Sequence, residues 1–180
     1  MILQDVFYFL SPVRLLEQNY FLMNKSLLIN TIQKIENACF SNPYSRDMIE
    51  TDIQKSNTVI LLASGSGRIL SPETEEFSKN EIIAAYCLIE IISQEQIMEL
   101  IRVAVIPEFR KRGYGEKLLR KMEDLALEKN MDRILLEVSK INSSAIKLYE
   151  KMGYMQYHTR KSYYPDGSDA RLYQKILRTA

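Results

Sequence analysis

The hydrophobic positions of this chain change rhythm several times, and each change marks an element. Over residues 26–40, Leu28, Ile32, Ile35 and Cys39 recur at steps of three and four, which predicts a helix. Asn42-Pro43-Tyr44-Ser45 interrupts it. Ser45 is a natural N-cap for a second helix reaching about residue 55, with Met48, Ile49 and Ile53 turned inward. Residues 58–63 are continuous, apolar and β-branched, as in a strand buried on both faces. The polar stretch 64–80 reads as a long loop. Strong strands follow over 82–92 and 97–105, joined by Ser93-Gln94-Glu95-Gln96 as a hairpin.

Beyond Pro107 a glycine turn leads into a helix over about 116–129, whose apolar side is Leu118, Leu119, Met122, Leu125 and Ala126. A strand at 134–138 comes next, then a short helix at 143–152 ending at Gly153. Residues 154–157, a loop around Tyr163-Tyr164-Pro165-Asp166-Gly167 and a strand over 170–177 complete the chain. At the other end, residues 1–24 are apolar and aromatic with Pro12 as the one clear breaker; they read as a strand near 20–23 behind an extension, 1–19, of unknown role. The order of elements predicts an α+β fold, an α/β sandwich in which a mixed sheet carries helices on both faces, as one domain over 20–180.

Composition narrows the class. A chain of 180 residues with 46% apolar and 26% charged residues is an ordinary globular domain able to bury its own core. A net charge of +1 supplies no overall basic field for nucleic acid. No run reaches the ~18 apolar residues of a membrane span, and no basic residue precedes the apolar start, so neither a membrane partner nor a secretory leader is expected. Cys39 and Cys87 lack paired spacing and lie in apolar company, which predicts buried thiols in a reducing, cytoplasmic setting. No His, Cys, Asp and Glu cluster has metal-ligand spacing, and the single histidine, His158, carries no assigned chemistry.

Locally the charge is uneven. Arg110, Lys111, Arg112, Lys117, Arg120 and Lys121 flank the turn Arg110-Lys111-Arg112-Gly113-Tyr114-Gly115, opposed by Glu116. Two glycines let the backbone approach a ligand, and the first turn of the next helix leaves amides for an anion. No Gly-Lys-Ser/Thr follows, so this is not a nucleotide-hydrolase loop; nor does it carry the further glycine and distant acid of a dinucleotide fingerprint. Taken alone, the turn reads equally as a tight connection with surface arginines.

Val103-Ala104-Val105-Ile106-Pro107-Glu108-Phe109-Arg110-Lys111-Arg112-Gly113-Tyr114-Gly115, followed by Leu118-Leu119, resembles the acetyl-CoA motif of the GNAT superfamily of N-acetyltransferases. Leu136-Glu137-Val138, Asn142, Ala145-Ile146, Leu148-Tyr149-Glu150, Gly153-Tyr154 and Tyr163-Tyr164-Pro165 are similar to its ribosomal-protein-alanine (RimI-like) branch. The resemblance implies a mostly antiparallel, twisted sheet and acetyl-CoA as co-substrate. It further implies that the backbones of Val103, Ala104 and Val105 hold the acetyl and pantetheine portion, and that Lys111, Arg112, Gly113, Tyr114, Gly115 and Glu116 cradle the pyrophosphate by their amides. Asn142 and Tyr149 would touch the cofactor, Glu137 would be the general base, and Tyr149 would protonate the departing thiolate. Tyr44, Tyr163 and Tyr164 would wall the acceptor site. Read from the residues alone, Glu137 is a solvated strand acid, Tyr149 a core tyrosine and Asn142 a helix cap; it is their joint spacing behind the glycine turn that favours a site. Glu99 is a competing base on the preceding strand.

The reaction so implied is direct attack of an amine on the thioester carbonyl, a backbone N–H stabilising the oxyanion. The amine must be neutral. Near pH 7 roughly a tenth of a protein α-amine is ready, against less than about a thousandth of a lysine amine, so an α-amine asks less of the base. The expected acceptor is therefore a protein N-terminus, ribosomal or other, taken by a monomer or weak homodimer. A small polyamine or amino-sugar is the alternative, which the acids around Glu73, Glu75 and Glu76 would suit. A non-catalytic acetyl-CoA-binding module is the alternative of another kind. Ser139-Lys140-Ile141 lacks an arginine common after the Glu137 motif in that branch.

Overall fold

The computed structural model describes residues 12–72 and 80–178, with side chains from residue 25 onward. The N-terminal residues 1–11 and the acidic residues Glu73, Glu75 and Glu76 lie outside the described residues. The elements in order are α1 (Pro12–Cys39), α2 (Arg46–Gln54), β1 (Thr58–Ser64), β2 (Ile69–Leu70), β3 (Ile83–Ile92), β4 (Ile97–Val105), α3 (Tyr114–Glu128), β5 (Arg133–Ser139), α4 (Ser143–Lys151), β6 (Met155–Arg160) and β7 (Ala170–Ile176). The strands form one sheet in the order β2-β1-β3-β4-β5-β7-β6. Only the β4–β5 pair is parallel among the described strands.

Periodicity placed most elements well, and the departures have physical causes. The strand expected near 20–23 is helical, because α1 begins at Pro12 and runs unbroken to Cys39. Ser45 caps α2 as expected, its hydroxyl accepting from the Met48 amide at 3.2 Å. Ile49 is buried and Ile53 packs beside it, but Met48 is exposed: a nine-residue helix has room for one inward stripe. The polar loop 64–80 hides β2, whose two residues pair with Leu62 and Ala63 of β1.

Two apolar layers flank the sheet. On one face α3 and α4 cover β3, β4 and β5 through Leu118, Leu119, Met122, Ile134, Leu136 and Tyr149. On the other, α1 and α2 cover β1, β3 and β4 through Ile32, Ile35, Ile49, Leu62, Tyr86 and Leu88. Within this second layer sits Glu36, fully buried. Its carboxylate accepts from Arg102 Nε at 3.0 Å, Arg102 Nη2 at 2.6 Å, the Tyr44 amide at 2.7 Å and the Tyr86 hydroxyl. Each oxygen is thus paired, and burial together with that carboxylate holds the Tyr86 phenol far above its ordinary pKa. The pair ties α1, the α1–α2 segment, β3 and β4 together.

One irregularity in β4 resets the alternation of its second half. Arg102 lies opposite Leu88 but Leu100 lies opposite Ile89, so Ile101 is an extra residue, a β-bulge. Pairing between β4 and β5 covers Ile97 to Leu100 against Arg133 to Leu136 and stops there. Beyond it the strands part.

Glu36→Ala strands the Arg102 guanidinium and is expected to cost roughly 3–5 kcal/mol, seen as a lower urea midpoint; Glu36→Gln, which keeps an acceptor, should cost less.

Candidate active site

The gap between β4 and β5 is where the predicted residues converge. Over residues 101–105 the edge of β4 that faces β5 has no strand partner. Past β4 a short 3-10 turn, Pro107–Phe109, reverses the chain, and Arg110 Nε returns to the Val105 carbonyl at 3.0 Å. Lys111 and Gly113 then take left-handed backbone, φ +58° and +83°. Gly113 has open space around its α-carbon, so its conformation and not crowding requires glycine. Gly115 is the reverse case: a β-carbon there would lie 3.1 Å from Leu148 Cδ2 and 3.9 Å from Val105 Cγ2. Its bareness lets α3, α4 and the end of β4 meet.

Among the described residues no hydrogen bond uses the amides of residues 111–116; the first helical bond here is Lys117 N to Gly113 O at 3.0 Å. These are the unpaired donors of a helix start. The side chains around them are occupied otherwise. Arg112 lies over the Phe109 ring, and the buried Tyr114 donates to the Gly65 carbonyl at 2.6 Å. Glu116 bridges α3 to α4, accepting from Arg120 at 2.8 Å and Lys151 at 2.7 Å, which holds its carboxyl below the ordinary range. An open strand edge continuing into a row of free amides fits an elongated ligand ending in an anion, as acetyl-CoA is. Val103, Ala104 and Val105 would hold its acyl arm and residues 111–116 its pyrophosphate. Asn142 caps α4, its side chain accepting from the Ala145 amide at 3.2 Å, so the cap and any cofactor contact share one side chain.

The face covered by α3 and α4 contributes Tyr149, 4% exposed, beside Tyr154 and Tyr173. Its hydroxyl has no hydrogen-bond partner among the described residues. Burial first, then the neighbouring Tyr164 and Cys87, raise its pKa. A proton donor to a thiolate works best with a pKa lowered toward that of a thiol; desolvation raises this phenol instead.

The opposite face contributes carboxylates. Glu137 and Glu99 both alternate away from the α3–α4 core, and cross-strand pairing sets Glu99 beside Leu135, two residues before Glu137. Glu137 is ion-paired to Arg160 of β6. Glu99 has no hydrogen-bond or ion-pair partner among the described residues; partial burial, then Glu137 and Glu90, raise its pKa. Tyr164, also raised by burial, lies within the fields of Glu137 and Arg102, and it reaches Tyr149 electrostatically from the other side. Tyr149 thus lies on the α3–α4 face of the sheet, and Glu99 and Glu137 on the other.

Tyr44, Tyr163 and Tyr164, the expected acceptor residues, each meet another aromatic or cationic group. Tyr163 and Tyr164 pack edge to face at 5.3 Å, and their amides both donate to the Ser168 carbonyl. Asp169 pins this hairpin, accepting from the Ser162 amide at 3.1 Å, Lys140 at 3.1 Å and Lys161 at 3.3 Å. Across from it Phe40 and Tyr44 sandwich the Arg102 guanidinium, 3.8 and 4.0 Å from the ring centroids. Glu36, Phe40, Arg102 and Arg160 escaped the sequence reading. The visible signal was a charge in each of two apolar patterns, Glu36 after Ile35 and Arg102 after Ile101; their pairing across 66 positions was not visible.

The acetyltransferase (GNAT) family matches residues 29–154, most of the chain, and the chain belongs to that family. It is an N-acetyltransferase whose co-substrate is acetyl-CoA. It is 29% identical over 143 residues, 79% of this chain and 85% of the relative, to a putative ribosomal protein bS18-alanine N-acetyltransferase of Bacillus subtilis. Against the ribosomal protein bS18-alanine N-acetyltransferase of Escherichia coli K12 it is 30% identical over 90 residues, half of this chain and 60% of that one. The fold matches the crystal structure of the ribosomal-protein-S18-alanine N-acetyltransferase from Escherichia coli with a TM-score of 0.69 at 23% identity, covering 84% of this chain and 89% of that one. It also matches a chain of the NatC complex bound to Gag peptide and CoA, with a TM-score of 0.66 at 22% identity over 83% and 91% of the two chains. Among the described residues no helix is long and apolar enough to cross a membrane, and no cluster of three or more His, Cys, Asp or Glu could hold a metal.

Asp169, held down at about 2 by its three donors, yields a pH prediction. Its folded pKa is below its unfolded one, so its contribution is complete above about pH 4 and is lost as pH falls through about 2. The protection of amides in residues 162–168, measured against their intrinsic exchange rates, should fall across that window, and Asp169→Asn should be loose at neutral pH with no such step.

Proposed function

We propose that this enzyme acetylates the α-amine of a protein N-terminus, a ribosomal protein being one such acceptor. The observation that carries the reading is the opening between β4 and β5, bordered by paired aromatic walls on the face where Glu99 and Glu137 lie. An extended peptide end can lie between Tyr44 on one side and Tyr163 and Tyr164 on the other with its amine over the carboxylates. The two named relatives, which act on a ribosomal protein's alanine, support the same acceptor class.

When bound, acetyl-CoA supplies the activated acetyl group. The chain's own residues do the rest. Glu137, oriented by Arg160, takes a proton from the incoming ammonium directly or through one water. A free amide on the open edge of β4 is the donor for developing negative charge on oxygen. Tyr149 keeps its proton at every working pH and offers a donor at the hydroxyl, where a departing anion would accept. Its raised pKa suits it to hydrogen bonding, with full transfer only to a group that is itself desolvated.

Glu99 is the second candidate base, because it is unpaired among the described residues and its pKa is raised, whereas one oxygen of Glu137 is committed to Arg160. The row of Glu90, Glu99 and Glu137 on one face also favours a cationic acceptor such as a polyamine. We infer a cytoplasmic enzyme, monomer or weak homodimer, working without nucleic acid or membrane; the two free thiols and the near-neutral charge support this.

A panel of short peptides and polyamines, followed by thiol release from acetyl-CoA, tests the acceptor. Peptides should be the better substrates, and preference for polyamines would sink the α-amine reading. Glu137→Gln should lower kcat by roughly a hundredfold with little change in CoA affinity, and Glu99→Gln only a few-fold; the opposite order moves the base to Glu99.

A further inference from the structure

We propose that Arg102 decides which first residue the acceptor site admits, by filling the slot between the Phe40 and Tyr44 rings and closing it to large apolar side chains. The inference rests on the α-amine reading above.

Arg102 is the one charged residue in the run Leu100-Ile101-Arg102-Val103-Ala104-Val105. The bulge at Ile101 brings it to the α1 face, opposite Leu88, on the strand whose other edge is the open one. Its guanidinium carbon lies 3.8 Å from the Phe40 centroid and 4.0 Å from the Tyr44 centroid, so a flat cation occupies the whole width between two rings. Both rings lie on the α1–α2 segment, and the Arg102 charge reaches the Tyr164 phenol, which ties this cluster to the hairpin expected to wall the acceptor site.

The plug cannot swing aside cheaply. Two of its nitrogens are bonded to Glu36, which has no exposure and is held in turn by the Tyr44 amide and the Tyr86 hydroxyl. Moving Arg102 out would leave a buried carboxylate without its countercharge. Nor does it act as a lure for acidic residues, since Glu36 already balances its charge. Nη2 lies 3.5 Å from the Asn42 carbonyl, and Nη1 makes no hydrogen bond among the described residues. What remains is a steric role: with the guanidinium filling the space beside the two rings, small first side chains are admitted, and leucine or methionine meets the guanidinium.

Peptides differing only in residue one (glycine, alanine, serine, methionine, leucine) are compared by kcat/KM. The wild type should favour the small residues over methionine and leucine by about tenfold. In the double variant Arg102→Ala with Glu36→Gln, which leaves no stranded charge, the leucine-to-alanine ratio should rise about tenfold or more while CoA affinity stays unchanged. General damage would lower all peptides together and leave the ratio where it was. A wild type that prefers leucine or methionine overturns the proposal even if the variant fails to fold, as does a folded, CoA-binding variant with an unchanged ratio. Turnover of polyamines with no peptide turned over overturns the α-amine reading and this inference with it.

Discussion

A single extra residue in one strand governs this molecule. With Ile101 inserted, β4 cannot stay in register with both its neighbours, and it keeps β3 at the expense of β5. Losing ladder hydrogen bonds in the middle of a sheet is unfavourable unless something else takes those groups. Here the exposed edge is the feature a strand-like ligand can complete. The same insertion shifts side-chain alternation, so Val103 stays with the α3–α4 core while Arg102 and Ala104 turn to the α1 face. The unpaired edge of β4 and the placing of Arg102 on the α1 face thus both lie just past one local defect.

Around the opening, the two faces of the sheet offer different chemistry because they are differently dry. The α3–α4 side is apolar, and burial pushes the Tyr149 phenol up and the Cys87 thiol up to about 12, so both stay protonated. On the other side charges are admitted, but in compensated form: Glu36 with Arg102, Glu137 with Arg160, Asp169 with two lysines. Glu99 is the exception, a half-buried acid near two others with no cation of its own among the described residues. A group that is costly to ionise and has nothing to satisfy it is what a proton-accepting site uses.

The buried Glu36–Arg102 pair is better understood as a device for position than as a source of stability. Exchanging such a pair for apolar residues is often neutral or stabilising, whereas removing one partner is strongly destabilising. Its value is that it joins helix, segment and two strands through directional bonds, holding Phe40 and Tyr44 at a set spacing from β4. The hairpin bearing Tyr163 and Tyr164 is tied in the same manner by Asp169. Both aromatic segments are therefore anchored by carboxylates, Glu36 and Asp169.

Hydrophobic rhythm alone determined the long elements, since a helix or strand of seven or more residues repeats its burial pattern often enough to be read: α3, β1, β3 and β4 are as the periodicity predicts. The glycine turn, Glu137, Asn142 and Tyr149 carried the resemblance to the family, and of these Gly113 and Asn142 answer to local backbone needs. Short or contextual features were illegible: β2 is two residues long, residues 20–23 belong to a long helix and not to a strand, and Met48 faces outward. Which charges meet was decided only in three dimensions. Glu36 and Arg102, or Glu137 and Arg160, are far apart in the chain, and no local pattern says whether a lone charge will be solvated or paired. The bulge at Ile101 belongs with them, since a strand's register is a property of its neighbours and not of its own residues.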